Sequence, residues 1–428
     1  MLALDSGLEF DAERDEHFFA GLPARPGVLL LEMTDASARP YLARTADIRR
    51  AAERLLRPPE ASSKRLNLRT VAARIRYRAT GSKFEQTLTL YQNARERLPQ
   101  RYRDLLRLRR PALLKVNLRN EYPRCYVTRG LRADDSFYFG PFASRRAADG
   151  FAESFLDLFK IRRCQIKIQR DPNYPGCIYS EMKMCLSPCF AGCSKQEYDA
   201  EVGRVLESLE TAGAALKDRL QRQREAASEA LDFEQAAAIH KRLEKVAAAL
   251  WGLPEIARRV ENIDAVILQR AVQEKTIAVF PVRGGLLGDA MFLNFGELSS
   301  QPRSVEALLR HELDPDTGAA NPEPQASEPV APDASADEPS VSANQVHAIA
   351  ASDAAEMRRR YGLHAAPVEL SEHLAMLARW FYSKPREGEI FFREKKEWPY
   401  RRILRACSRL LQPPAPEPPR GKAPLSNS

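Results

Sequence analysis

The sequence predicts an α+β multidomain protein, and three observations carry that expectation. From Leu22 to about Arg110, strand-like and helix-like apolar patterns alternate. Four of the seven cysteines fall within one 26-residue stretch. From Tyr198 to Leu250, Ala, Leu, Glu, Lys, Arg and Gln dominate, the composition of long helices. With 428 residues, 44% hydrophobic and 29% charged, the chain is long enough to bury several cores. No run approaches the ~20 apolar residues of a membrane span. The opening Met1-Leu2-Ala3-Leu4-Asp5 through Asp15-Glu16 is acidic rather than a charged-then-apolar export signal. A cytoplasmic protein with reduced thiols and no membrane partner is expected.

Taken in order, residues 1–20 read as a loose acidic arm. Residues 21–110 read as an α/β domain: a buried strand at Gly27–Met33, a short one at Tyr41–Ala43, and a helix from Thr45 to Leu56 halted by Pro58-Pro59. Residues 111–195 form a cysteine-rich module, with strands at Leu113–Val116 and Arg124–Thr128. A helix from Ser144 to Phe159 in this module carries the stripe Phe151, Phe155, Leu158 and Phe159. Residues 196–255 read as a helical hairpin of two antiparallel arms, broken near Leu231-Asp232-Phe233. Residues 256–312 form a small β-rich domain with strands at Ala265–Leu268, Thr276–Val282 and Ala290–Phe295, the last two joined by Arg283-Gly284-Gly285. Residues 313–348, rich in Pro, Ala, Ser, Asp and Glu, read as a disordered acidic linker. Residues 349–412 form a helical segment, with Leu370, Leu374, Leu377 and Phe381 on one stripe and Tyr400, Leu404, Cys407 and Leu411 on another. A Pro-rich disordered tail covers 413–428.

The net charge of +9 is unevenly distributed. Arg44 to Lys115 holds 20 Lys/Arg against 6 Asp/Glu, a net of +14 in 72 residues. Basic density of that kind suits phosphate backbone, because each neutralised phosphate releases counterions. Arg44, Arg49, Arg50, Arg74, Arg76 and Arg78 are the candidate DNA-binding residues.

Cys164, Cys177, Cys185 and Cys189 stand as C-x12-C-x7-C-x3-C. Thiols this clustered serve as a disulfide framework, a zinc site or an iron–sulfur cluster. The reducing setting disfavours disulfides. A zinc ribbon prefers two C-x2–4-C knuckles, and only Cys185/Cys189 approaches one. A cluster tolerates uneven spacing, so iron–sulfur, of the 4Fe-4S kind, is expected, with zinc as the alternative. Cys193 is a spare ligand or a helix-side thiol.

Around these cysteines, Tyr138-Phe139-Gly140-Pro141-Phe142, Leu158-Phe159-Lys160-Ile161-Arg162-Arg163-Cys164 and the Cys185-Leu186-Ser187-Pro188-Cys189 run resemble the middle of the UvrC family of excinuclease proteins. The resemblance extends through Glu121–Arg129 upstream, and through Ala230–Ala237 and Phe280–Gly285 downstream. It identifies the chain as a truncated member of that nucleotide-excision-repair family. Three expectations follow from it. Leu22–Val28 resembles the start of the family's GIY-YIG nuclease module, but the module's first tyrosine falls at Leu29, its arginine at Ala51 and its metal-binding glutamate at or near Leu90, in the apolar-alternating stretch Leu88–Tyr91. Tyr41 is the only retained tyrosine of the pair, and Ala43 replaces the glycine after it. A degenerate module without its nuclease centre is implied.

The family's second nuclease domain, RNase H-like, needs more chain than the segments around the linker offer and a carboxylate series that is not found. His364 and His373, near Glu369 and Glu372, read as solvent-face residues of a helix rather than metal ligands. Residues 220–250 resemble the UVR motif, the helical hairpin that meets the helicase UvrB, with Leu231, Phe233, Glu234 and Ala237 as partner-binding residues; His240-Lys241 replaces the family's usual Arg-Asp. The implied function is a DNA- and UvrB-binding repair protein lacking its own nuclease activity. The alternative is an active structure-specific endonuclease using a rearranged GIY-YIG site.

Overall fold

The computed structural model describes residues 2–59, 65–296, 304–314, 366–395 and 397–412. Most of the expected linker, His364 and the tail at 413–428 lie outside these residues.

The first unit is built on a four-stranded antiparallel sheet. Its elements are β1 (Ser6–Glu9), α1 (Asp15–Ala20), β2 (Gly27–Met33), β3 (Tyr41–Thr45), α2 (Ile48–Leu56), β4 (Ala72–Ala79), α3 (Lys83–Arg97) and α4 (Tyr102–Leu106), with strand order β1-β4-β2-β3. Strand β2 is apolar at every position from Val28 to Leu31 because both its faces are covered. Leu29 and Leu31 meet α1 and α2 through Phe18, Phe19, Ile48 and Leu55. Val28 and Leu30 meet α3 through Phe84, Leu88 and Tyr91. Helix α2 starts at Ile48, not Thr45, because the Asp47 carboxylate accepts the Arg50 N–H at 2.9 Å and caps it.

The acidic arm is not loose. Leu2 and Leu4 are buried, and β1 pairs with β4 from Ser6↔Tyr77 to Glu9↔Arg74. Apolar anchors at the start of the arm, and arginines that neutralise its carboxylates, hold it in place. The stretch Leu88–Tyr91, which alternates like a strand, lies within α3. That helix is buried on almost every side from Phe84 to Ala94, so its pattern loses the one-sided stripe of a surface helix.

The second unit pairs β5 (Ala112–Val116), β6 (Cys125–Thr128), β7 (Phe137–Phe142) and β8 (Arg258–Arg259) in the antiparallel order β6-β5-β7-β8. Helix α5 (Arg145–Leu156) packs on it, capped by Ser144 and ending three residues before Phe159. Rings from Phe151 to Phe155 (5.4 Å) and Phe155 to Phe159 (5.0 Å) continue the predicted stripe into the core that also holds Cys193 and Tyr198. After the short α6 (Ile178–Glu181), residues 195–250 form three helices rather than two: α7 (Lys195–Glu210), α8 (Ala214–Glu229) and α9 (Phe233–Leu250). The additional break is at Gly213, whose φ of 79° suits glycine.

The third unit corrects the expected division into a small β domain and a separate helical segment. Strands β9 (Ala265–Arg270), β10 (Thr276–Arg283), β11 (Leu286–Leu287) and β12 (Met291–Asn294) are followed by helices α10 (Val305–Leu313) and α11 (Pro367–Phe381), strand β13 (Glu389–Phe392) and helix α12 (Tyr400–Leu411). Strand β13 pairs antiparallel with β9, Glu389↔Leu268 to Phe392↔Ala265, so residues from both sides of the linker build one sheet. Gly284 and Gly285, both at positive φ, turn β10 into the short β11 rather than directly into the strand expected at Ala290–Phe295, and that strand, β12, returns to pair with the start of β10. One face of this sheet packs on α11 and α3, the other on α10 and α12. The architecture is mixed α/β and multidomain.

Candidate functional site

The four clustered cysteines are carried on a long irregular loop that backbone bonds fold onto itself. Leu186 N–H donates to Lys160 O (3.0 Å) and Asp171 N–H to Cys189 O (2.9 Å), which brings the chain near Cys164 to the Cys185–Cys189 turn. Cys177 caps α6, its N–H donating to Ser180 Oγ at 3.0 Å. Arg162, missed at the sequence level, fastens the loop to the sheet. This buried guanidinium donates to Tyr122 O (2.8 Å) and Ile166 O (2.7 Å), while the Arg162 N–H donates to Tyr198 Oη (3.0 Å). Tyr198 in turn donates to Pro123 O at 2.8 Å.

All seven cysteines are free. The thiols of the cluster sense one another. Burial pushes the Cys185 thiol up to about 11; the Ser187 N–H, 3.3 Å from Sγ, opposes that shift, and Cys164, Cys189 and Cys177 add to it. Cys189 is raised by burial first, with smaller contributions from Cys177 and Cys164. As placed, no group of three or more His, Cys, Asp or Glu side chains among the described residues is arranged to hold a metal ion. The donor set itself, four soft sulfurs, is of the kind that takes iron–sulfur or zinc. Cys125, Cys193 and Cys407 are buried core thiols outside the set.

The candidate DNA-binding arginines are not equivalent. Arg74, Arg76 and Arg78 lie at alternate positions of β4 and share a face, and each meets a carboxylate: Glu9 at 3.3 Å, Glu32 at 2.9 Å and Asp5 at 3.0 Å. Arg49 donates to the carbonyls of Leu22 (2.7 Å) and Ala20 (3.2 Å). Arg44 and Arg50 are exposed. Although Arg44 is exposed as a residue, desolvation of its partly covered guanidinium, and then the Arg379 guanidinium nearby on α11, hold it below the ordinary arginine pKa.

The positions where the resemblance places nuclease groups are apolar and buried: Leu29, Ala51 and Leu90. Tyr41 is half-buried against the α1–α2 core. Glu85, the nearest carboxylate before Leu90, is buried at the start of α3. It accepts the Gly81 N–H at 2.8 Å and faces Arg78 at 3.6 Å; burial is the largest influence and raises its pKa.

The hairpin of α8 and α9 offers its turn to solvent. Leu231 is 72% and Phe233 66% exposed, and Glu234 and Ala237 are exposed beside them. Asp232 caps α9 by accepting the Gln235 N–H at 3.0 Å, which fixes where Phe233 projects.

His373 is not on a solvent face. It is buried, its Nδ1 accepts the Leu287 N–H at 3.0 Å, and Tyr91 packs edge-on against its ring. Glu372 accepts from Tyr91 (3.1 Å), Tyr102 (3.0 Å) and Arg103 (2.9 Å), and Glu369 pairs with Arg95. These contacts join α11 to α3 and α4. A helix in isolation does not show that another element will cover it, so the sequence carried no signal for this burial.

The UvrC/Cho excinuclease middle-domain family model matches residues 112–208, the sheet and cysteine loop of the second unit. UvrABC system protein C of Desulfatibacillum aliphaticivorans is 29% identical over 234 residues, covering 54% of this chain and 39% of that protein. That of Dehalococcoides mccartyi strain CBDB1 is 27% identical over 293 residues, covering 67% and 47%. That of Oleidesulfovibrio alaskensis is 33% identical over 190 residues, covering 44% and 27%. The chain thus spans less than half the length of each of these relatives. No solved structure matches it. Among the described residues, no helix is long and apolar enough to cross a membrane. Residues 112–208 thus carry a UvrC/Cho excinuclease middle domain, and the similarity to UvrABC system protein C extends beyond that domain.

Proposed function

We propose that the chain is a cytoplasmic nucleotide-excision-repair protein that binds DNA and a UvrB-like helicase, and that its first unit is a GIY-YIG-like module without a nuclease centre. The observation that carries the partner assignment is the exposed Leu231/Phe233 pair on the α8–α9 turn. A large aromatic held at a capped helix start, with small residues behind it, is the form an interface anchor takes. The absence of nuclease chemistry rests on Leu29, Ala51 and Leu90, since a hard cation such as Mg²⁺ requires oxygen ligands that leucine and alanine lack. Glu85 does not supply one, because it is committed to Gly81 and Arg78. DNA binding is supported by the basic first unit, where Arg44 and Arg50 have the exposure to reach phosphate.

Cys164, Cys177, Cys185 and Cys189 would hold an iron–sulfur cluster, with zinc as the alternative occupant. When bound, the group would cross-link the loop. Arg162 and Tyr198 orient that loop from the protein side.

The deciding experiment is capture of purified UvrB by wild type and by Phe233→Ala, together with Mg²⁺-dependent nicking of lesion-bearing duplex. Wild type is expected to capture UvrB and to leave the duplex intact. Truncating an anchor costs about 2 kcal/mol or more of binding, roughly thirtyfold. Because Phe233 is exposed, the variant's melting temperature should stay within about a degree. Equal capture by both proteins would remove the partner assignment, and Mg²⁺-dependent nicking would restore the nuclease reading.

A further inference from the structure

We propose that the cleft between the cysteine loop and the helical hairpin binds nucleic-acid backbone phosphates; the assignment deepens the DNA-binding reading above and rests on it. The cleft has a volume of about 680 Å³, and Lys160 and Lys183 on its loop side accompany Lys241 and Lys245 from α9. Its lining holds eight Lys/Arg against two carboxylates, Asp157 and Glu201. Both carboxylates are already engaged. Asp157 pairs with Arg163 at 2.7 Å, and Glu201 pairs with Arg204. Arg219 is neutralised by Glu207. The four lysines are exposed, and no carboxylate partners them among the described residues.

The contrast with the β4 arginines of the first unit favours the cleft as a phosphate site. Arg74, Arg76 and Arg78 sit in the densest basic stretch of the sequence, but each already faces a carboxylate. A phosphate arriving there must displace an ion pair, whereas one arriving in the cleft meets ammonium groups that only water screens. Lys241 and Lys245 are one helical turn apart, a like-charge pair that repels in the free protein and is relieved by an anion between or above them. Ammonium groups on flexible stems bind phosphate as point charges, without the fixed fork that base reading requires, so contact with backbone rather than sequence is implied.

An acidic protein partner is the less favoured occupant. Leu158, Phe159, Leu216 and Leu220 beneath the lysines are themselves buried. Among the described residues of the lining, Met182 is the one large, strongly exposed apolar side chain, so the cleft offers a protein anchor little to seat against beside the four ammonium groups.

The test is a salt titration of binding to a labelled duplex oligonucleotide by wild type and by Lys183→Glu/Lys241→Glu/Lys245→Glu, with the corresponding triple Gln variant beside it. Loss of three phosphate contacts should lower the slope of log affinity against log salt by roughly 2 to 3 and weaken binding at least tenfold. The Gln variant should show the slope change with a smaller loss of affinity. Melting temperatures should be unchanged, because the three side chains are exposed. Unaltered slopes in the folded Gln variant would overturn the cleft assignment while leaving DNA binding in place. A wild type that binds no oligonucleotide would overturn both readings. A poly-glutamate peptide that binds as tightly as the duplex, with the same dependence on the lysines, would overturn the assignment to nucleic acid.

Discussion

His373 lies between Leu287 and Tyr91, with Glu369, Glu372 and Arg95 the charged groups around it. Burial holds its pKa down at about 4, Glu369 and Glu372 pull it back up, and Arg95 adds to the depression. The ring is therefore neutral in the folded protein at pH 7 and remains so well into the acid range. In the unfolded chain it protonates near the ordinary histidine value of about 6.5. As pH falls from there toward 4, the unfolded state takes up a proton that the folded state refuses, so stability is lost with falling pH and is unaffected above about 7. At about 1.4 kcal/mol per pH unit, this one group accounts for roughly 2 kcal/mol between pH 7 and pH 5. Thermal melts should show a smaller drop over that interval in His373→Gln, whose carbonyl can still accept the Leu287 N–H; an equal drop would place the acid sensitivity elsewhere. The clustered thiols make a second expectation for single residues. Anaerobically purified protein should carry iron and sulfide with broad visible absorption, and Ser substitution of Cys164, Cys177, Cys185 or Cys189 should abolish both. Stoichiometric zinc without iron would assign the four thiols to the alternative occupant.

Helix boundaries in this chain follow capping chemistry wherever a cap exists. Asp47, Ser82, Ser144, Ser194 and Asp232 each accept a backbone N–H at the start of a helix, and these starts are legible as residue types. The break between α7 and α8 has a weaker sequence signature, because helix formers lie on both sides and only Ala212-Gly213 marks it. Both residues take positive φ, and a Cβ on Gly213 would lie 2.0 Å from Leu250 Cδ1. Gly213→Ala should therefore destabilise the protein by about 1–3 kcal/mol, a backbone penalty with crowding of Leu250 added. Chemical denaturation should register it as a lower midpoint at unchanged m-value. A midpoint equal to wild type would mean that the hairpin can shift at no cost.

Across the whole molecule, α3 is the shared element. Its Phe84 ring meets Phe280 of the third unit's sheet at 5.2 Å and Trp380 of α11 at 5.6 Å, while Leu88 and Tyr91 of the same helix join the core that holds Val28 and Leu30. The first and third units, far apart in sequence, are thus packed through one helix, and the Glu372 network with Tyr91, Tyr102 and Arg103 adds a polar seam between them. Phe84→Ala should cost about 3–5 kcal/mol, the value for removing a buried phenylalanine. Because Trp380 is a reporter at that contact, tryptophan fluorescence and far-UV circular dichroism should lose their signals together at a lower temperature. A fluorescence change at unaltered melting temperature would mean that the units hold together without this ring.

What local chemistry encodes could be read from the chain alone. This covers the resemblance to the UvrC family, through motifs set by the cysteine loop; the apolar strands β2, β9 and β10; the Gly284-Gly285 turn; and the existence of a hairpin with an aromatic at its tip. Charge density was legible too, but only as a sum over 72 residues. Folding in three dimensions settled which of those charges is available. Glu9, Glu32 and Asp5, distant in sequence from Arg74, Arg76 and Arg78, neutralise them, while the lysines around the cysteine-loop cleft face no carboxylate among the described residues. It also settled that β13 completes a sheet begun before the linker, that the N-terminal arm is an edge strand, and that His373 is buried. In each case the reason is the same: strand pairing, ion pairing and burial are properties of two segments at once, and no pattern within either segment names the other.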